Sequence, residues 1–261
     1  MTTYWLFIVF SALLLGFVVW MLFFRKKKGV VRAETFSNDW RKILTDKVGF
    51  YEDLPSKEKE RFEQEILNFL GKIAITGVEM EIDDTDRLLV AASAVIPLFG
   101  FPQLRYRNLS EVLLYKGTFN ADYQTGGEAR NVLGQVGPGN MNRLMILSLP
   151  ALHAGFENEK SKNNVGIHEF VHLIDKADGG TDGIPESLMQ KQYVLPWLHL
   201  VRSETERIKQ DESDINPYAA TNEAEFLSVA SEYFFSRPEL FEEKHPELYA
   251  LMTKIYRQEP G

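Results

Sequence analysis

The stretch NNVGIHEFVHLIDK, residues 163–176, sets His168 and His172 four positions apart, with Glu169 directly after the first. Four positions on an α-helix turn through about 400°, so the two imidazoles leave the helix along nearly the same line. They can then fill two corners of a tetrahedral Zn2+ site. Glu169, about 100° round from His168, stands beside such a metal rather than on it. From there a carboxylate can take a proton from a zinc-bound water, whose pKa the metal lowers toward about 7, and pass it to a leaving amine. The plainer alternative is two surface histidines on a charged helix. Against it, Phe170, Val171, Leu173 and Ile174 make the segment apolar enough to be buried, and Asn163 or Asn164 is placed to cap its start.

An open zinc site needs a third protein ligand and leaves the fourth position to water. The chain has no cysteine, so that ligand is a histidine or a carboxylate. Nothing marks the remaining histidines for metal. His153 falls in an upstream loop, His199 reads as a satisfied core histidine on an apolar face, and His245 precedes Pro246 in a charged, exposed stretch. Glu223, Glu225 and Glu232, in NPYAATNEAEFLSVASEYFFSRPE, are better placed. Glu225 and Glu232 share a helical face with Phe226, Val229 and Phe234 nearby, and a glutamate buried there needs a cation or a hydrogen-bond partner. Asn222-x-x-Glu225 is equally acceptable as a capping box, and spacing alone leaves both readings open. Asp175, seven residues after His168, has three readings: it takes a histidine's second ring nitrogen, braces the following loop, or is a solvated acid near a helix end.

These residues need elements to position them. Helical spacing is expected over 38–50 and, with Ser56 as N-cap and Phe62, Ile66, Phe69 and Leu70 as the apolar stripe, over LPSKEKERFEQEILNFLGKI. GVEMEI, residues 77–82, alternates like a short strand. DDTDRLLVAASAVIPLFG reads as a helix capped by acids, with small residues for close packing. SEVLLYKG and NRLMILSL read as strands on either side of a glycine-rich stretch, the second as the sheet edge on which a peptide lies. After the histidine helix come a long helix broken near Pro196 and one or two closing helices. The expected fold class is α+β, mostly helical with a small sheet.

Composition sets the frame. At 261 residues and 44% hydrophobic, the chain is long enough for a sizeable core, and a net charge of -8 argues against a nucleic-acid partner. Trp5–Phe24 is uncharged, long enough as a helix to cross a bilayer, and followed by Arg25, Lys26, Lys27 and Lys28. The expectation from this is one N-terminal transmembrane helix, a single-pass protein of the inner (cytoplasmic) membrane with its N-terminus out. The chain then divides into an anchor with basic flank (1–28), a linker (29–37) and a cytoplasmic domain (38–261).

HEFVHLID and INPYAATNEAEFLSVASEYFFSRPELF, with looser matches from LPSKEKERFEQEILNFLGK, LLVAASAVIPLFGF, VLLYKGTF and MILSLPALHAGF, resemble the Mlc titration factor A family of zinc-dependent peptidases. That family is similar in its metal site to the anthrax lethal factor catalytic domain. The resemblance covers roughly residues 40–250 and implies a zincin-like metallopeptidase acting on peptide or protein substrates. His168, His172 and Glu225 would be the metal ligands, Glu169 the general base, and Tyr218 an active-site tyrosine whose hydroxyl donates to the developing oxyanion. It also implies aminopeptidase-like action on small peptides, with Glu223 or Glu232 to receive a free amine. The family's namesake sequesters a transcriptional repressor, so a regulatory binding protein holding a transcriptional regulator is the alternative. The Trp5–Phe24 segment and the stretch 121–139 depart from the family.

Overall fold

The computed structural model describes residues 29–31, 33, 35–117, 134–136, 143–157 and 160–260. The described residues begin their helices with α1 (Asn38–Lys47), the short α2 (Gly49–Glu52) and α3 (Ser56–Leu70). Strand β1 (Ala74–Gly77) and helix α4 (Asp84–Leu98) follow, then β2 (Glu111–Tyr115), β3 (Gly134–Val136) and β4 (Leu144–Ser148). The second half is helical: α5 (Leu149–Glu157), α6 (Val165–Asp175), α7 (Lys191–Lys209), α8 (Glu223–Ser236), α9 (Pro238–Lys244) and α10 (Pro246–Tyr256). The fold is α+β and mostly helical, as the periodicities imply.

The sheet has the order β1-β2-β4-β3. β1, β2 and β4 run parallel, and β3 lies antiparallel to β4 with Gly134 opposite Leu147 and Val136 opposite Met145. β4 is therefore an interior strand, not the edge its sequence suggested. The edge on that side is β3, which packs beside α6, and β1 is the other edge. The alternating GVEMEI is also not a strand. β1 ends at Gly77, the Val78 N–H makes the last bond, to the Leu114 carbonyl, and Glu79 turns the chain at φ 55°. Its apolar Met80 and Ile82 pack on the core from this turn instead.

Helix α6, which carries the histidines, lies between α4, α5 and α8. The small-residue run of α4 makes the approach possible. Ala91, Ala92, Ser93 and Ala94 are buried there, and a side chain at Gly166 would overlap Ser93. A capping box starts α4: Asp83 accepts from the Asp86 N–H and Asp86 from the Asp83 N–H, both at 3.0 Å. Ser56, by contrast, is not a cap. It is the first residue of α3, and the Pro55 carbonyl accepts the first helical bonds. The Pro196 break is absent as well: α7 runs continuously through Pro196 in its second turn, forgoing one backbone hydrogen bond there. Trp197, Val201, Glu204 and Ile208 form its buried face. His199 lies about 200° round from Trp197 and is exposed, contrary to its expected place in the core.

The inner-membrane, single-pass placement is corrected. Among the described residues no helix is long and apolar enough to cross a membrane. The segment Trp5–Phe24, on which that placement rested, lies outside the described residues.

Candidate metal centre

Asn164 caps α6, its side-chain oxygen accepting from the Ile167 N–H at 3.1 Å. One turn in, His168 and His172 project together toward the first turn of α8. Asn222 caps that helix by accepting from the Glu225 N–H at 2.9 Å. The capping reading of this segment is thus half right, for the Glu225 carboxylate does not close the box but turns to the histidines. Its Oε2 lies 3.1 Å from His168 Nε2 and 3.3 Å from His172 Nε2, and the two nitrogens are 3.1 Å apart. A metal with tetrahedral bonds of about 2.0–2.1 Å sets its ligand atoms about 3.3–3.4 Å from one another, so this triangle has nearly the size such an ion imposes. Among the described residues no other group of histidine and acidic side chains converges in this way.

The outer ring nitrogens are held too. His168 Nδ1 lies 2.6 Å from Glu232 Oε1, and Glu232 Oε2 accepts the Asn164 backbone N–H at 2.6 Å. An ionised carboxylate only accepts, so Nδ1 carries the proton and Nε2 faces the centre as a metal ligand requires. His172 Nδ1 lies 3.2 Å from Ser228 Oγ. Glu232 is thereby committed. It joins the cap of α6 to the ring of His168, a role invisible in the sequence because its partners are 68 and 64 residues away.

The electrostatics are those of a place built for positive charge. Burial works against a charged His168, yet its hydrogen bonds to Glu225 and Glu232 outweigh it and raise its pKa to about 10. Burial is likewise overcome at Glu225, where His168 and His172 hold the carboxyl far below the usual carboxylate range. Glu169 is buried beside them, and that burial pushes its carboxyl up despite the two imidazoles. Tyr218, in a short turn over Pro217–Ala220, places its ring 6.1 Å from that of His168. Partial burial and the neighbouring Glu225 raise its phenol. His168, Glu169, His172, Tyr218 and Glu225, the five to which the resemblance gives roles, are therefore gathered at one place.

Asp175 does not reach a histidine. Its Oδ2 accepts the Gly183 N–H at 3.1 Å, which is the loop-bracing reading. The Gly183 carbonyl in turn accepts from Trp197 Nε1 at 2.8 Å. Gly183 has φ 72° and lies so close to the start of α8 that a Cβ would collide with the Glu223 carbonyl. This tie seats the turn from which Glu225 emerges. The other two histidines depart from expectation. His153 is in α5, 2.7 Å from Asp86 Oδ1, and His245 is buried between Asp214 and Glu204.

A helix offering two imidazoles and an adjacent buried acid, completed by a carboxylate from a second helix, defines the class of metal-dependent hydrolases. The family described as Glucose-regulated metallo-peptidase M90 matches residues 22–257, and the chain belongs to that family. Similar proteins include the uncharacterized protein slr2042 of Synechocystis sp., 28% identical over 85% of this chain and 84% of the relative. The Mlc titration factor A of Pectobacterium atrosepticum is 31% identical over 70% of this chain and 72% of its own length. That of Salmonella arizonae is 30% identical over 72% and 78% respectively.

Proposed function

We propose that this member of a metallopeptidase family is a zinc peptidase in which His168, His172 and Glu225 hold one zinc, Glu169 is the general base and Tyr218 the oxyanion donor. The observation that carries the reading is the triangle of donor atoms, each 3.1–3.3 Å from the next, with a buried acid beside it. When bound, zinc supplies Lewis acidity, polarising a carbonyl and lowering the pKa of water toward about 7. Glu169 takes the proton from the attacking water on its carboxylate and delivers it to the nitrogen of the leaving amine. Its raised proton affinity suits both halves of that transfer. The water oxygen bonds to the scissile carbon first, and the C–N bond breaks afterwards as the carbonyl re-forms. Tyr218 O–H donates to the oxyanion between those steps. His168 and His172 are kept in the ligating orientation by Glu232 and Ser228.

The peptide lies extended along the outer side of β3, which among the described residues pairs only with β4, and main-chain hydrogen bonds there extend the sheet. Action at the N-terminus of small peptides fits a carboxylate near the mouth. Glu232 is committed to His168, which leaves Glu223, exposed at the first position of α8, to meet the amine. The test is incubation of the zinc-loaded full chain with a diverse peptide pool, products read by mass spectrometry, and Glu169→Gln as control. Cleavage confined to the parent supports the peptidase, and single-residue trimming supports the aminopeptidase. Absence of cleavage by a zinc-replete, folded protein would overturn both.

The name of the relatives, Mlc titration factor A, favours a second reading, capture of a transcriptional regulator. Such binding has no need of Glu169, so a regulator held equally by parent and Glu169→Gln, without cleavage of any peptide, would favour it.

A further inference from the structure

The segment that leads into the Tyr218 turn is tied down by one carboxylate, which the proposed chemistry does not use. Lys162 Nζ donates to Asp214 Oδ2 at 2.6 Å and to the Asp214 carbonyl at 2.8 Å. The Tyr233 hydroxyl donates to the same Oδ2 at 2.9 Å, and His245 Nε2 lies 2.7 Å from Oδ1. These partners come from three places: the loop just ahead of α6, the last turn of α8, and the joint between α9 and α10. The Lys162 ammonium also sits 4.6 Å from the centre of the Tyr233 ring. On its far side His245 meets Glu204 at 3.3 Å, and the imidazole is only 4% exposed. Burial works against charge on Asp214, yet Lys162, His245 and Tyr233 hold its carboxyl down at about 2.

From Asp214 the chain reaches Tyr218 in four steps, and Ile215 and Asn216 hold the path. Ile215 is buried. The Asn216 side chain accepts the Tyr218 N–H at 3.0 Å and donates to Asn163 Oδ1 at 3.5 Å. Tyr218 itself is 53% exposed, so neighbouring side chains enclose little of its ring. Its hydroxyl reaches Glu225, and the rest of its placement over His168 comes from the backbone of the turn. We propose that Asp214 is the positioning residue for Tyr218, locking the approach to the Pro217–Ala220 turn against the loop that begins the histidine helix. None of its side-chain contacts is a metal ligand, so its effect on the reaction passes through the turn.

The proposal rests on Tyr218 acting as the oxyanion donor, and the test separates the two. Zinc-loaded full-length parent, Asp214→Asn, Lys162→Met, Tyr218→Phe and the Asp214→Asn/Tyr218→Phe double variant are compared by kcat, KM, zinc content and amide hydrogen exchange. Asp214→Asn should lower kcat by about tenfold or more, with KM within about twofold and zinc content unchanged, because displacing an oriented group costs the transition state. The Ala219 and Thr221 amides, which bond the Asn216 and Tyr218 carbonyls, should exchange about tenfold faster while those of α6 do not. In the Tyr218→Phe background the same change should cost no further kcat. An additive loss in the double variant, zinc lost together with kcat, or unaltered exchange at the turn would overturn the proposal. If Tyr218→Phe alone leaves kcat intact, the oxyanion role falls. Exchange then decides by itself: faster at the turn supports the lock, unchanged overturns it. Should Asp214→Asn fail to fold, Lys162→Met is judged by the same readouts.

Discussion

Replacing Glu232 by glutamine isolates what the second carboxylate of α8 does for the metal. Glutamine keeps the length of the side chain, and its carbonyl can still accept the Asn164 N–H that Glu232 holds at 2.6 Å. Its amide N–H2 then faces His168 Nδ1, where the parent carboxylate accepts at 2.6 Å. A donor there draws the imidazole proton onto Nε2, the atom that points at the metal position. Loss of one charged hydrogen bond weakens the metal-free fold by about 1.5–3 kcal/mol. Metal affinity should fall about 10–100-fold, the usual cost of losing such a partner, or about 1.4–2.7 kcal/mol. The raised proton affinity of His168 works in the opposite direction, since Glu232 also favours the proton that zinc must displace. Both cations occupy Nε2, however, and zinc carries twice the charge, so removing the carboxylate costs the metal more than the proton. The assay is competition for zinc against a chromophoric chelator, with circular dichroism to verify the fold. A folded Glu232→Gln whose zinc affinity lies within about threefold of the parent would refute the reasoning.

Other perturbations follow from the same contacts. With His168 raised to about 10 in the zinc-free protein against 6.5 for the free side chain, its charged contacts stabilise the fold fully below pH 6.5 and are lost as pH rises toward 10. Zinc must displace that proton, so its affinity should climb by up to about tenfold per pH unit across the same window, and calorimetry in buffers of different ionisation enthalpy should show a proton released. Gly183→Ala forces a side chain into the Glu223 carbonyl at φ 72°. It should cost roughly 1–3 kcal/mol in thermal unfolding and weaken zinc binding through Glu225, whereas Gly180→Ala, where a Cβ meets only exposed aspartate side chains, should not weaken zinc binding. Burial raises the Asp175 carboxyl above its ordinary value, so its ionisation costs stability as pH rises through the carboxylate range. Asp175→Asn keeps an acceptor for Gly183 and removes that cost. Chemical unfolding at neutral pH should find it at least as stable as the parent, and Asp175→Ala less stable.

What could be read from the sequence was local. The helix bearing His168 and His172, its Asn164 cap and the start of α8 are all set by spacings within one or two turns. An acid among Phe226, Val229 and Phe234 needs a partner, but that holds for Glu225 and Glu232 alike, and only the family resemblance pointed to Glu225, which meets the two imidazoles. Relations between distant segments were not legible. Glu232 and Asp175 each had several open roles because the groups that settle them, Asn164 with His168 and Gly183, are brought near only by the fold. His199 and His245 exchanged places for the same reason. A helix phase set by Trp197 and Val201 turns the first outward, and the joint after α9 folds the second between Glu204 and Asp214. β3 escaped notice because a three-residue strand in a glycine-rich stretch has no alternation to detect, and the role of sheet edge was therefore given to β4.

The claim on which the rest depends is that one zinc sits among three named atoms. Diffraction from crystals of the zinc-loaded full chain, recorded on both sides of the zinc absorption edge, tests it directly. The account predicts a single anomalous peak bonded to His168 Nε2, His172 Nε2 and a Glu225 carboxylate oxygen at about 2.0–2.2 Å, with Glu169 beside the metal and no fourth protein ligand. A peak elsewhere, or one closed by a fourth side chain in the manner of a structural zinc, would contradict it.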